Sequence, residues 1–141
     1  MWGILRINVL YNILNIGSPM TKVEIEHILK RMPQVERAIR KHQTVACFYV
    51  GNRREVIEIT KNIYLIRAIV EDIIQKEDHY IGLIVEYHIK QGKSDRYIIT
   101  QLPLSKNSYY RLKQRIHEKI YNCCIEKGVV SYEEIFVDII V

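Results

Sequence analysis

The chain has 141 residues, of which 48% are hydrophobic and 26% charged, with six glycines and three prolines. A chain of this size and make-up forms one domain, or one domain with a small appendage, around a core that needs no disulfide or metal. It is too hydrophobic for a disordered tail, and its few glycines and prolines argue against a turn-rich all-β fold.

The net charge is +5. Between Lys90 and Lys119 stand eight basic residues and only two acidic ones, Asp95 and Glu118, so this stretch nets +6 and the rest of the chain −1. Clustering of this kind is the electrostatic footprint of a polyanion binder; the competing reading is a solvated basic face. Three cysteines (Cys47, Cys123, Cys124) without a C-x-x-C pair fit free thiols in a reducing compartment. The five histidines lack metal-ligand spacing, so neither a zinc site nor another cofactor is expected.

In chain order, the first nineteen residues are apolar but interrupted by Arg6, Asn8, Asn12 and Asn15. The run is too short and broken for a membrane span, and it lacks the pattern of a signal peptide. Its periodicity supports either strand or helix; the expectation is an apolar helix that packs on the body or on a partner chain. Met20 reads as a second possible start.

Thr21 and Glu24 match a capping box, which predicts a helix with Val23, Ile25, Ile28, Leu29 and Met32 on its apolar stripe. Pro33 ends or kinks that helix, or opens a second one carrying Val35, Ala38 and Ile39. The β-branched and aromatic run Val45 to Val50, the turn Gly51-Asn52 and then Val56, Ile57 and Ile59 allow a short hairpin; a loop leading directly into helix is the alternative. Ile63, Ile66, Val70, Ile73 and Ile74 repeat at helical spacing, which predicts a helix from Asn62 to about Lys76, capped by Thr60 or Asn62. A further helix runs from His79 to Lys90, with His88 half-buried, and Gly92 ends it.

Ser94 or Asp95 caps a short helix from Asp95 to Leu102, with Tyr97, Ile98 and Leu102 on its apolar side. Pro103 stops it. Ser105 caps the next helix, Lys106 to about Lys127, before Gly128. Short helix, tight turn and N-capped basic helix make the pattern of a helix-turn-helix. Tyr109, Leu112, Ile116 and Ile120 share the packing face. Lys106, Asn107, Tyr110, Arg111 and Gln114 share the opposite face, where arginine suits guanine and asparagine or glutamine suits adenine. Ser105 and the helix start can donate to phosphate, and Arg96, Lys113, Arg115 and Lys119 are placed to bind phosphates. An ordinary helical hairpin with a basic solvent face is the alternative.

The run ITQLPLSKNSYYRLKQRIHEKI (Ile99 to Ile120) resembles the C-terminal helix-turn-helix of phage transcriptional activators of the RinA and ArpU kind, itself similar to sigma-factor region 4. The matching positions are Leu102, Leu104, Ser105, Ser108, Tyr109, Tyr110, Arg111 and Lys113. YIGLIVEYHIKQGKSDRYI (Tyr80 to Ile98) resembles that family's lead-in helix. Pro103 inside the turn and Ser108 in place of threonine depart from the pattern. The resemblance implies a sequence-specific regulator in the bacterial cytoplasm that binds double-stranded DNA, activates phage or prophage genes and contacts RNA polymerase.

The expected fold is therefore mainly α: a helical bundle with a C-terminal helix-turn-helix and a possible small β-hairpin near 45–60. It divides into an N-terminal helical region (1–60), a DNA-binding domain (61–128) and a C-terminal apolar helix (129–141). In that last helix Ser131 and Glu134 again match a capping box, and Ile135, Phe136, Ile139 and Ile140 either close the subunit's own core or form a homodimer contact. The rival functions are a phage packaging accessory resembling a small terminase subunit, and an interaction module that docks its basic helix on an acidic protein. No membrane partner is expected. No nucleotide-binding, hydrolase or metalloprotease motif occurs, so an enzyme is not expected either.

Overall fold

A computed structural model describes residues 19–130; the apolar N-terminal segment and the helix expected from Ser131 onward lie outside the described residues. The described chain is mainly helical, with one two-stranded antiparallel hairpin.

Helix α1 (Lys22–Lys30) starts at the expected capping box. The Thr21 hydroxyl accepts from the Glu24 backbone at 3.2 Å, and the Glu24 carboxylate accepts in return from the Thr21 backbone at 3.4 Å. Arg31 both ends α1 and precedes α2 (Met32–Arg40), which carries Pro33 in its first turn, where no amide hydrogen is needed. Ile25, Ile28, Leu29, Met32, Val35 and Ala38 are buried as their spacing predicts. Val23 is not: it is 74% exposed, because at about 3.6 residues per turn it stands nearly opposite Ile25 on the helix.

Strands β1 (Val45–Val50) and β2 (Arg53–Glu58) pair in the register Val45↔Glu58 to Val50↔Arg53 around a Gly51 with φ 61°, so the hairpin forms and the loop-to-helix alternative does not. Ala46 and Ile57 pair on the buried face, while Cys47, Tyr49 and Val56 lie exposed on the other.

Helix α3 (Lys61–Lys76) follows Thr60, whose backbone takes the cap conformation although its hydroxyl makes no capping bond. Helix α4 (His79–Val85) is capped by Asp78, which accepts from the Ile81 amide at 3.1 Å. Gly82 lets α3 and α4 approach closely: a Cβ there would sit 3.2 Å from the Ile74 carbonyl oxygen. The chain then widens into a π turn (Glu86–Lys90), closed by the Gln91 amide donating to the Glu86 carbonyl at 3.0 Å. Gly92, with φ 67°, stops it against Pro33 of α2.

Helix α5 (Asp95–Gln101) and the long helix α6 (Lys106–Glu126) complete the described chain. Past Gly128 the chain meets the segment before α1, where the Met20 amide donates to the Val129 carbonyl at 2.7 Å and Met20 bridges Val130 in parallel. One apolar cluster, rich in isoleucine, runs from Ile25 through Ile66, Ile84 and Ile120 to Val130. Each fully buried isoleucine in it contributes about 2 kcal/mol of burial. Among the described residues no helix is long and apolar enough to cross a membrane.

Candidate nucleic-acid interface

The short helix, the turn and the capped helix all form where the sequence places them. The Ser94 hydroxyl accepts from the Tyr97 amide at 3.2 Å to start α5. Leu102 leaves the helix in extended conformation before Pro103. The Ser105 hydroxyl caps α6 by accepting from the Ser108 amide at 3.1 Å, and it donates to the Ser108 hydroxyl at 2.9 Å. Serine at position 108 thus completes the cap. With the Ser105 side chain so engaged, the groups left to meet an anion at this helix start are the backbone N–H groups of its first turn.

A partly buried acid holds the two helices together. Asp95, the first residue of α5, accepts from the Tyr109 hydroxyl at 2.6 Å and lies 3.1 Å through each oxygen from the Lys113 ammonium. Tyr109 is fully buried. Burial alone would raise the Asp95 pKa, but the Tyr109 and Lys113 hydrogen bonds hold it below the usual carboxylate value. Burial and the carboxylate raise that of the Tyr109 phenol.

His88, on the π turn, packs edge-to-face on His117 of α6 at 5.7 Å between ring centres. Its Nδ1 stands 4.0 Å from Asp95, too far for a hydrogen bond, and has no partner. Burial and the neighbouring Lys113 ammonium push the His88 pKa down to about 4, and burial lowers that of His117 as well. Both rings are therefore neutral near pH 7, and the pair packs as core beneath the helix-turn-helix.

The side chains expected to read bases lie together in solvent. Lys106, Asn107, Tyr110, Arg111 and Gln114 are exposed along the first turns of α6, while Tyr109, Ile116 and Ile120 on the opposite side are buried. Tyr110 stacks edge-to-face on Tyr109 at 5.2 Å, which steadies its ring at the rim of this face. Gln114 reaches Glu118 at 3.5 Å, and that acid ends the basic strip. Arg96 is exposed in the first turn of α5, and Arg115 is exposed on the flank of α6 toward the end of α3.

Two expected phosphate ligands stand elsewhere. Lys113 is drawn inward onto Asp95 and is a structural cation, and Lys119 pairs with Glu77 at the end of α3. Lys90, counted in the basic stretch, pairs with Glu71 at 2.5 Å. Tyr97, expected on the apolar side of α5, is half exposed and instead packs on Tyr87 at 6.0 Å with the Lys93 ammonium over its ring. Sequence reasoning read Asp95 as a cap or first-turn acid and missed its bond across to α6. The one signal available was a lone acid ahead of a tyrosine and a lysine spaced one helical turn apart.

Cys124 is buried, and burial raises its thiol pKa to about 12, which keeps it inert. Among the described residues no group of histidine, cysteine and acidic side chains is arranged to hold a metal ion. No family model, curated protein or solved structure matches the chain.

Proposed function

We propose that the chain is a sequence-specific regulator that binds double-stranded DNA and activates transcription, in keeping with its resemblance to phage activators of the RinA and ArpU kind. One observation carries the reading. The start of α6 holds Lys106, Asn107, Tyr110, Arg111 and Gln114 in solvent on one face, while Tyr109 and Asp95 fix that helix from the other. An arginine beside amide side chains on a rigid, capped helix start is equipped to read base edges in the major groove. Arg96 and Arg115 supply phosphate contacts on either flank, together with the first-turn amides of α6. Lys113 serves by holding α5 and α6 at a fixed angle.

The resemblance further implies residence in the bacterial cytoplasm and a contact with RNA polymerase. Selection of bound duplexes from a random pool, followed by footprinting of the recovered site, tests the reading. A short protected sequence with a consensus supports it. Recovery of unrelated sequences with equal affinity contradicts it.

A further inference from the structure

The near-neutral balance outside Lys90 to Lys119 conceals a second basic block. Between positions 37 and 54 stand Arg37, Arg40, Lys41, Arg53 and Arg54, and no acidic residue. The fold places three of them at the end of α2 and two at the start of β2. The last turn of α2 packs beside β1, and between them opens a cleft of about 680 Å³ lined by Arg37, Lys41 and His42. Arg53 and Arg54 open β2 just past the hairpin turn, and Tyr49, 73% exposed, pairs across from Arg54. All five cations are exposed. Among the described residues Arg37, Arg40 and Lys41 have no ion-pair partner, Arg54 reaches the Cys47 sulfur at 3.5 Å, and Arg53 pairs with Glu55 at 3.1 Å while its side chain stays 82% exposed.

The surface is anchored to the reading helix through α1. His27 pairs with Glu55 at 3.3 Å and the Arg31 guanidinium lies over the Phe48 ring, which fixes the hairpin on α1. Lys22 of α1 in turn lies over Tyr121 of α6. These contacts tie the hairpin to α6 through α1.

We infer that the end of α2 and the β-hairpin form a second polyanion-binding surface, which grips nucleic-acid phosphates flanking the stretch met by α6. Among the described residues four of the five cations lack an ion pair and all five are solvated, as counterion release requires. A two-stranded ribbon has the width that a DNA groove admits, and an exposed tyrosine beside an arginine suits the sugar–phosphate backbone. The turn residues Gly51 and Asn52 lack the bulky apolar side chain that insertion into a lipid interface needs. The inference rests on the DNA-binding reading for the identity of its partner.

The test measures duplex affinity against salt for the full chain, for Arg53→Ala/Arg54→Ala and for Arg40→Ala/Lys41→Ala, on a long random-sequence duplex and on its selected site. Circular dichroism checks that each variant is folded. Each double variant is expected to flatten the slope of log affinity against log salt by roughly 1–2, and to leave the preference for the selected site unchanged. Wild-type slopes in both variants overturn this surface and leave the α6 reading standing. A wild-type chain that binds no duplex overturns both. Loss of binding to phosphatidylserine vesicles, with the DNA slope intact, assigns the patch to a membrane and overturns its nucleic-acid role.

Discussion

The two ends of α6 are built for different work. At its start, five polar side chains stand in solvent on one face, and the described contacts neutralise neither Lys106 nor Arg111. Farther along, Ile116, Ile120 and Cys124 pass into the core, and the nearby cations Lys113 and Lys119 are taken up by Asp95 and Glu77. Cations that look alike in sequence thus divide into those left exposed and those that hold the fold. The division follows the helix face and the reach of an acid, since Lys113 turns onto Asp95 while its neighbours Gln114 and Arg115 stay exposed.

The largest expected effect is at the joint between the two ends. Tyr109→Ala empties a fully buried site and removes a donor to Asp95, so it should cost about 3–5 kcal/mol in urea unfolding. Tyr109→Phe keeps the ring and loses only the charge-assisted bond, for a cost of about 1.5–3 kcal/mol. If the phenylalanine variant were as stable as wild type, the Asp95 clamp would not hold the helices as described.

Acid should loosen the same joint. His88 has a folded pKa of about 4 against an ordinary 6.5, so below pH 6.5 the unfolded chain takes up a proton that the folded chain refuses. Stability should therefore fall as pH drops from 6.5 toward 4, by about 2 kcal/mol after allowing for partial exposure of the ring. Asp95 acts at the bottom of the range. Its lowered pKa stabilises the fold above the ordinary carboxylate value, and that contribution is lost as pH falls through the folded value. Melting curves from pH 7 to about 2 check this, and His88→Leu should flatten the part of the decline above pH 4. An unchanged profile in that variant would assign the acid sensitivity to other groups.

Gly92→Ala should cost about 1 kcal/mol or more, because the position has a positive φ and a Cβ there would meet Pro33 at 3.1 Å. Lys119→Ala should have the smallest effect, under about 1 kcal/mol of stability, since its ion pair is half exposed, and it should leave the salt dependence of DNA binding unchanged. A clear loss of slope in Lys119→Ala would return that lysine to the DNA face and blur the line between the two ends of the helix.

The features legible in the sequence are those decided within a few residues. The Thr21–Glu24 box, the stop at Gly92 and the caps at Ser94 and Ser105 all appear where local spacing puts them, and so does the apolar side of α6. The hairpin was legible as one of two options, and only its packing on α2 and α1 decided between them. The features that escaped are settled between distant segments. Val23 is the exception, since helical spacing alone already puts it nearly opposite Ile25, on the solvent side. The π turn inserts one residue that no propensity signals. The inward turn of Lys113 depends on where α5 places Asp95, and the pairing of Lys119 on where α3 ends. Counting charge over a window treated these lysines as equal to Arg111, and it averaged the basic block of α2 and the hairpin against acids elsewhere.

On the proposed function, the start of α6 reads bases. The most direct test of this compares Arg111→Ala with wild type on the selected site and on random DNA at one salt concentration. The account predicts that the preference for the selected site falls by roughly 1–3 kcal/mol, with a smaller change on random DNA. Equal weakening on both DNAs would make Arg111 a phosphate ligand and contradict the placement of the reading face.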